Sequence, residues 1–80
     1  MEETFDKLVA VLKAEFEELS EITIHPNDIV WEKLSMSSMN LAILLTCIEL
    51  DFEVILSADE IKSINTFKDL ASIIAVKGKV

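Results

Sequence analysis

The stretch Trp31–Phe52, WEKLSMSSMNLAILLTCIELDF, decides how this chain folds. It sets two adjacent hydroxyls, Ser37 and Ser38, ahead of an apolar run from Met39 to Leu45 broken only by Asn40. A serine at a helix start accepts a hydrogen bond from the backbone N–H two or three residues on. The pattern therefore predicts a helix over residues 38–51, with Ser38 as its cap. With residues placed about 100° apart around the axis, Leu41, Leu44, Leu45, Ile48 and Phe52 share one arc, the expected core face. Met39, Ile43, Cys47 and Leu50 share a second arc, roughly opposite. A surface helix needs only one apolar stripe. The second stripe is expected to meet a partner, unless the preceding loop covers it or a second copy pairs with it.

Before this segment, Phe5, Leu8, Val9, Leu12, Phe16 and Leu19 recur at helical spacing, predicting a helix over residues 2–19. Residues 20–37 lose that period. Ile22 and Ile24 alternate with polar residues, His25-Pro26-Asn27-Asp28 reads as a turn, and Ile29, Trp31, Leu34 and Met36 follow irregularly. The expectation is a long connection anchored by apolar side chains, and long ordered loops in small domains are often functional. After the central helix, residues 51–57 read as a loop. Ser57 with Glu60, and Thr66 with Asp69, have the spacing of capping boxes. They predict a short helix over residues 58–63 and a last helix turning Phe67, Leu70, Ile73 and Ile74 inward. Residues 77–80 read as a frayed tail of a single domain spanning residues 1–80. The fold class expected is all-α, a small bundle of three long helices and one short one, with a long loop between the first two long helices.

The totals exclude several functions. The net charge is −8, and all seven basic residues are lysine. A polyanion would be repelled, so nucleic acid is not an expected partner, and anionic membrane surfaces are disfavoured likewise. Proteins with basic patches are. No apolar run is long enough to span a bilayer, so no stable membrane insertion is expected. The acidic start MEETFDK is no signal peptide, and a cytoplasmic location is the expectation. One Cys and one His provide neither a disulfide framework nor a zinc site. No residue set suggests catalysis. His25 stands in a turn beside Pro26, no carboxylate pair has surroundings that would split its pKa values, and no glycine-rich phosphate loop exists. Cys47, mid-helix among apolar residues, reads as a small hydrophobe.

A helix N-terminus also favours an attached anion, through its free N–H groups and the macrodipole. In this light WEKLSMSSMNLAILLTCIELDFEVIL resembles the core of the acyl carrier protein family. That family reads aromatic or aliphatic, two polar residues, Leu, Gly, any residue, Asp, Ser, Leu, then an apolar helix ending in Glu and Phe. Trp31, Leu34, Ser38 and Met39 take the matching positions, with Glu49 and Phe52 in register. IKSINTFKDLASII resembles a second family signature through Ile64, Thr66 and Asp69. The two motifs run without gaps from about residue 28 to 75.

The resemblance implies an acyl-carrier-like four-helix bundle. It further implies a 4′-phosphopantetheine arm on Ser38, delivered from coenzyme A by a phosphopantetheinyl transferase and ending in a thiol that holds acyl groups as thioesters. The protein would be a monomeric cargo holder rather than an enzyme, serving acyl synthetases, synthases or acyltransferases of fatty-acid or related lipid biosynthesis. Polyketide, aminoacyl or lipopolysaccharide acyl transfer are the neighbouring possibilities, and an unmodified helical adaptor is the alternative of another class. The chain departs from the family at three places. Ser35 replaces the Gly, Ser37 replaces the Asp, and Asn40, Ile43 and Leu50 stand where acidic residues are usual. A frame shifted by one would modify Ser37 instead, but Trp31, Leu34 and Met39 favour Ser38. Met39, Asn40, Ile43, Cys47, Glu49 and Leu50 are the expected partner face, with hydrophobic area in place of charge.

Overall fold

The computed structural model describes residues 2–35 and 37–78. Five α-helices and one 3-10 turn follow in order among these residues: α1 (Glu2–Glu15), the 3-10 turn (Glu17–Leu19), α2 (Val30–Lys33), α3 (Ser38–Phe52), α4 (Ala58–Lys62) and α5 (Phe67–Gly78). No strand occurs among them; a single antiparallel bridge joins Ile29 and Thr66. The all-α class therefore holds.

The first helix is shorter than its periodicity predicts. At Phe16 the backbone turns extended, with φ −114° and ψ 111°. The Phe16 N–H still donates to Leu12 O at 2.8 Å, and Leu19 N–H returns to Phe16 O at 3.0 Å. Both Phe16 and Leu19 are buried on either side of this break. A helical pattern of apolar residues thus spans two pieces of structure.

The long connection holds a turn of helix, α2, that its irregular spacing did not suggest. Val30 and Leu34 are buried at its two ends, and Trp31 is half-buried against the core. Hydrogen bonds fix this segment to the approach to α5. Val30 N–H donates to Asn65 O at 2.9 Å, and the Trp31 indole N–H donates to Ile64 O at 3.2 Å. Phe67 and Lys68 N–H donate back to Asp28 and Pro26 carbonyls at 3.1 and 2.9 Å. The turn at 25–28 is closed by His25 N–H to the Asp28 carboxylate at 2.8 Å. Met36, expected among the anchors, lies outside the described residues.

α1 packs on α3 and α5, and α3 also packs on α4 and α5. Leu8, Leu12, Leu44, Ile48, Ile61 and Phe67 lie fully buried where these helices meet. Each such side chain contributes about 1.5–3 kcal/mol relative to exposure. No polar or charged side chain is buried among the described residues. On α5, Phe67, Leu70 and Ile74 are buried and Ile73 packs partly against the core, as predicted.

Both predicted capping boxes form. Ser57 Oγ accepts from Glu60 N–H at 3.1 Å while Glu60 Oε1 accepts from Ser57 N–H at 2.9 Å. Thr66 Oγ1 accepts from Asp69 N–H at 3.0 Å while Asp69 Oδ2 accepts from Thr66 N–H at 3.1 Å. The Thr66 N–H holds the Asp69 carboxyl below its ordinary range. The tail prediction needs correction at Lys77 and Gly78. α5 continues through them because Lys77 Nζ donates to both Glu60 carboxylate oxygens, at 2.8 and 2.9 Å, and to Ile55 O at 3.2 Å. Lys79 and Val80 lie outside the described residues.

Candidate functional site: the start of helix α3

Two serines adjoin at the entry to α3, and the structure gives them different work. Ser37 is the cap. Its backbone is extended, at φ −107° and ψ 160°, and its Oγ accepts from Asn40 N–H at 3.1 Å. This corrects the expectation that Ser38 caps the helix. Ser38 is already the first helical residue, one position too late to cap it. Its side chain is exposed, and its Oγ makes no hydrogen bond among the described residues. The Asn40 side chain reaches back, donating from Nδ2 to Ser35 O at 2.8 Å, and Leu41 N–H donates to Ser37 O at 2.9 Å.

The amide ends of α3 and α5 contrast. At α5, the N–H groups of Phe67, Lys68, Asp69 and Leu70 are all taken, by Asp28 O, Pro26 O, Thr66 Oγ1 and Thr66 O. At α3, Ser38 and Met39 N–H have no partner among the described residues. N–H groups at the positive end of a 15-residue helix favour an anion attached there. Ser38 is the first residue of that helix. No acidic residue stands in the first turn of α3 to oppose it.

The far end of α3 is held by another helix. α3 has no basic residue in its own last turn. Lys7 of α1 supplies the cation, donating to Asp51 O at 2.8 Å with its ammonium 4.9 Å from the centre of the Phe52 ring. The helix ends at Glu53, which adopts the left-handed conformation at φ 57° and ψ 37°. A cleft of about 680 Å³ opens at this end, with Lys7, Phe52 and Val76 in its wall. It lies roughly 20 Å along the helix from Ser38.

The second apolar stripe divides. Met39 and Leu50 stand 72% and 75% exposed, so no loop covers them. Ile43 is half-buried and packs against the core. Cys47 departs from the expected partner face, being only 5% exposed. It faces the end of α1, where burial, then the negative charges of Glu15 and Asp51, push its thiol pKa up to about 11. Asn40 is half-buried and Glu49 exposed. Between α1 and α3 lies an open groove of about 290 Å³, with Glu15, Ala42, Ile43, Thr46 and Leu50 around Cys47. Sequence reading missed Glu15, Ala42 and Thr46. No periodicity within α3 reveals where the end of α1 crosses it.

Among the described residues, no group of His, Cys, Asp or Glu could hold a metal ion, and no helix is long and apolar enough to cross a membrane. No family model, curated protein or solved structure matches this chain.

Proposed function

We propose that this chain is an acyl carrier protein whose cargo rides on 4′-phosphopantetheine attached to Ser38. The observation that carries the reading is the division of labour between the two serines. Ser37 Oγ is engaged as the helix cap, whereas Ser38, at the first position of α3, is exposed and its Oγ has no hydrogen-bond partner among the described residues. The residue resemblance around Trp31, Leu34 and Met39 supports the same serine, as does the resemblance through Ile64, Thr66 and Asp69. In this reading α1, α3 and α5 are the long helices of a carrier four-helix bundle, α4 is the short one, and α2 is a turn within the long loop.

The arm supplies a terminal thiol for thioester formation. The protein supplies the rest. Ser38 offers the oxygen that forms the new phosphoester bond as the nucleotide part of coenzyme A departs and the hydroxyl proton leaves. The helix start steadies the resulting anion, and tethering makes each acyl transfer local at high effective concentration. The chain catalyses nothing itself. It works as a cytoplasmic monomer with a phosphopantetheinyl transferase and with acyl synthetases, synthases or acyltransferases of lipid biosynthesis. Met39 and Leu50 form the exposed apolar part of its docking face, beside Glu49.

The test is intact mass after incubation with coenzyme A and a broad-specificity phosphopantetheinyl transferase. Wild type and Ser37→Ala are expected to gain one phosphopantetheine and Ser38→Ala none. A gain lost only in Ser37→Ala moves the site by one residue. No gain in wild type, with a known carrier modified in the same mixture, rejects the reading.

A further inference from the structure

We propose that Asn40 is the positioning residue for modification of Ser38, acting through an uncharged clasp around that serine. The inference rests on the carrier reading above. Its basis is a pair of hydrogen bonds made by one residue. The Asn40 main chain donates to Ser37 Oγ at 3.1 Å, and its side chain donates to Ser35 O at 2.8 Å. Ser35 and Ser37 are therefore both held to the first turn of α3, on the loop side of Ser38. Ser35, Ser37 and Asn40 are also three positions at which the chain departs from the acyl carrier pattern. In the structure Asn40 is the hydrogen-bond partner of both serines. The departures form a set, in which fixed geometry takes the place of charge next to the modified hydroxyl.

The chemistry of the side chain makes the proposal specific. Only the amide NH₂ can face the Ser35 carbonyl, because an oxygen there would repel it. Aspartate, acidic as is usual at this position in the family, has the same shape as asparagine but no donor. It would release Ser35 and set a carboxylate against a carbonyl. If charge attracted the transferase, Asn40→Asp would speed modification, most of all at low salt. If the clasp holds the Ser38 hydroxyl in position to attack, the same substitution slows it.

The experiment measures kcat/KM for phosphopantetheine transfer to full-length wild type, Asn40→Asp, Asn40→Ala and Asn40→Gln, at low and high salt. Asn40→Asp and Asn40→Ala are expected to fall about threefold to tenfold, the worth of one such hydrogen bond. Asn40→Gln, which keeps the donor on a longer arm, recovers part of the rate. The readout that separates positioning from stability is the Asp variant's melting temperature. A carboxylate in the first turn favours the helix, so it melts no lower than wild type yet is modified more slowly at both salts. Faster Leu41 amide exchange in Asn40→Asp, with α5 amides unchanged, would locate the loosening. Asn40→Asp modified as fast as wild type, or faster, overturns the proposal. Wild type that is not modified at all overturns the Ser38 reading, and this role with it.

Discussion

Cys47 and Ser38 share one helix and have opposite chemistry. Ser38 is exposed, its hydroxyl without a hydrogen-bond partner among the described residues, and Cys47 is buried with a thiol that resists ionisation. Burial and the carboxylates of Glu15 and Asp51 raise the thiol from 9.0 to about 11. The sign of the resulting pH dependence follows. Between pH 9.0 and about 11 the unfolded chain loses the thiol proton and the folded chain keeps it, so stability falls as pH rises. The loss is roughly 1–3 kcal/mol, and the full contribution is present below pH 9.0. Urea midpoints of wild type and Cys47→Ala across this range are expected to converge with rising pH. Parallel curves would reject the account; comparing the two proteins cancels the lysines that titrate nearby. At neutral pH the folded thiol is expected to react with iodoacetamide far more slowly than the urea-unfolded one. Cys47 was legible in the sequence as a small hydrophobe. Its place off the partner face was not, because the groups that bury it lie on another helix.

At the scale of elements, the helix ends explain most of what could be read. Ser57/Glu60 and Thr66/Asp69 make their bonds within four residues, so local sequence was sufficient to place α4 and the start of α5. The two-serine start of α3 was ambiguous by one residue, since either hydroxyl could cap. Backbone conformation at Ser37 resolves it. The end of α3 carries visible strain. Glu53 holds φ 57°, the only positive φ on a non-glycine among the described residues. Its N–H bonds to Glu49 O at 3.0 Å, so the strained conformation closes the helix. Glycine accepts this conformation without a Cβ penalty. Glu53→Gly is expected to stabilise the protein by about 0.5–1 kcal/mol, the relief of strain exceeding the entropy cost of glycine in the unfolded chain. A lower denaturation midpoint in Glu53→Gly would contradict this.

For the whole molecule, the question is how a protein of net charge −8 meets its partners. Its charge steers basic surfaces toward it at a distance, and that steering weakens with salt. The exposed side chains of α3 that would meet a partner include Met39 and Leu50, which are apolar. Burying Leu50 at an interface contributes up to about 1.5–3 kcal/mol before association costs. Under the carrier reading proposed above, complex formation with a phosphopantetheinyl transferase is therefore expected to show an association rate that falls with salt and a dissociation rate that barely changes. Leu50→Ala should raise the dissociation rate and leave the melting temperature near wild type. Stopped-flow measurement at several salt concentrations checks this. A dissociation rate that climbs steeply with salt and ignores Leu50→Ala would place the energy in charge instead.

The sequence by itself determined the helical class, the inward faces of the long helices, both capping boxes and the segment that holds the candidate site. These follow from side-chain period and from bonds that span three or four residues. Tertiary structure decided the rest. It ended α1 at Phe16, seated α2 against the approach to α5 and gave α3 its C-terminal cation from Lys7. It also removed Cys47 from the surface while leaving Leu50 on it. Each of these depends on which distant segment lies alongside. A helical period reports that a residue faces some neighbour, and only the packed chain says which neighbour that is.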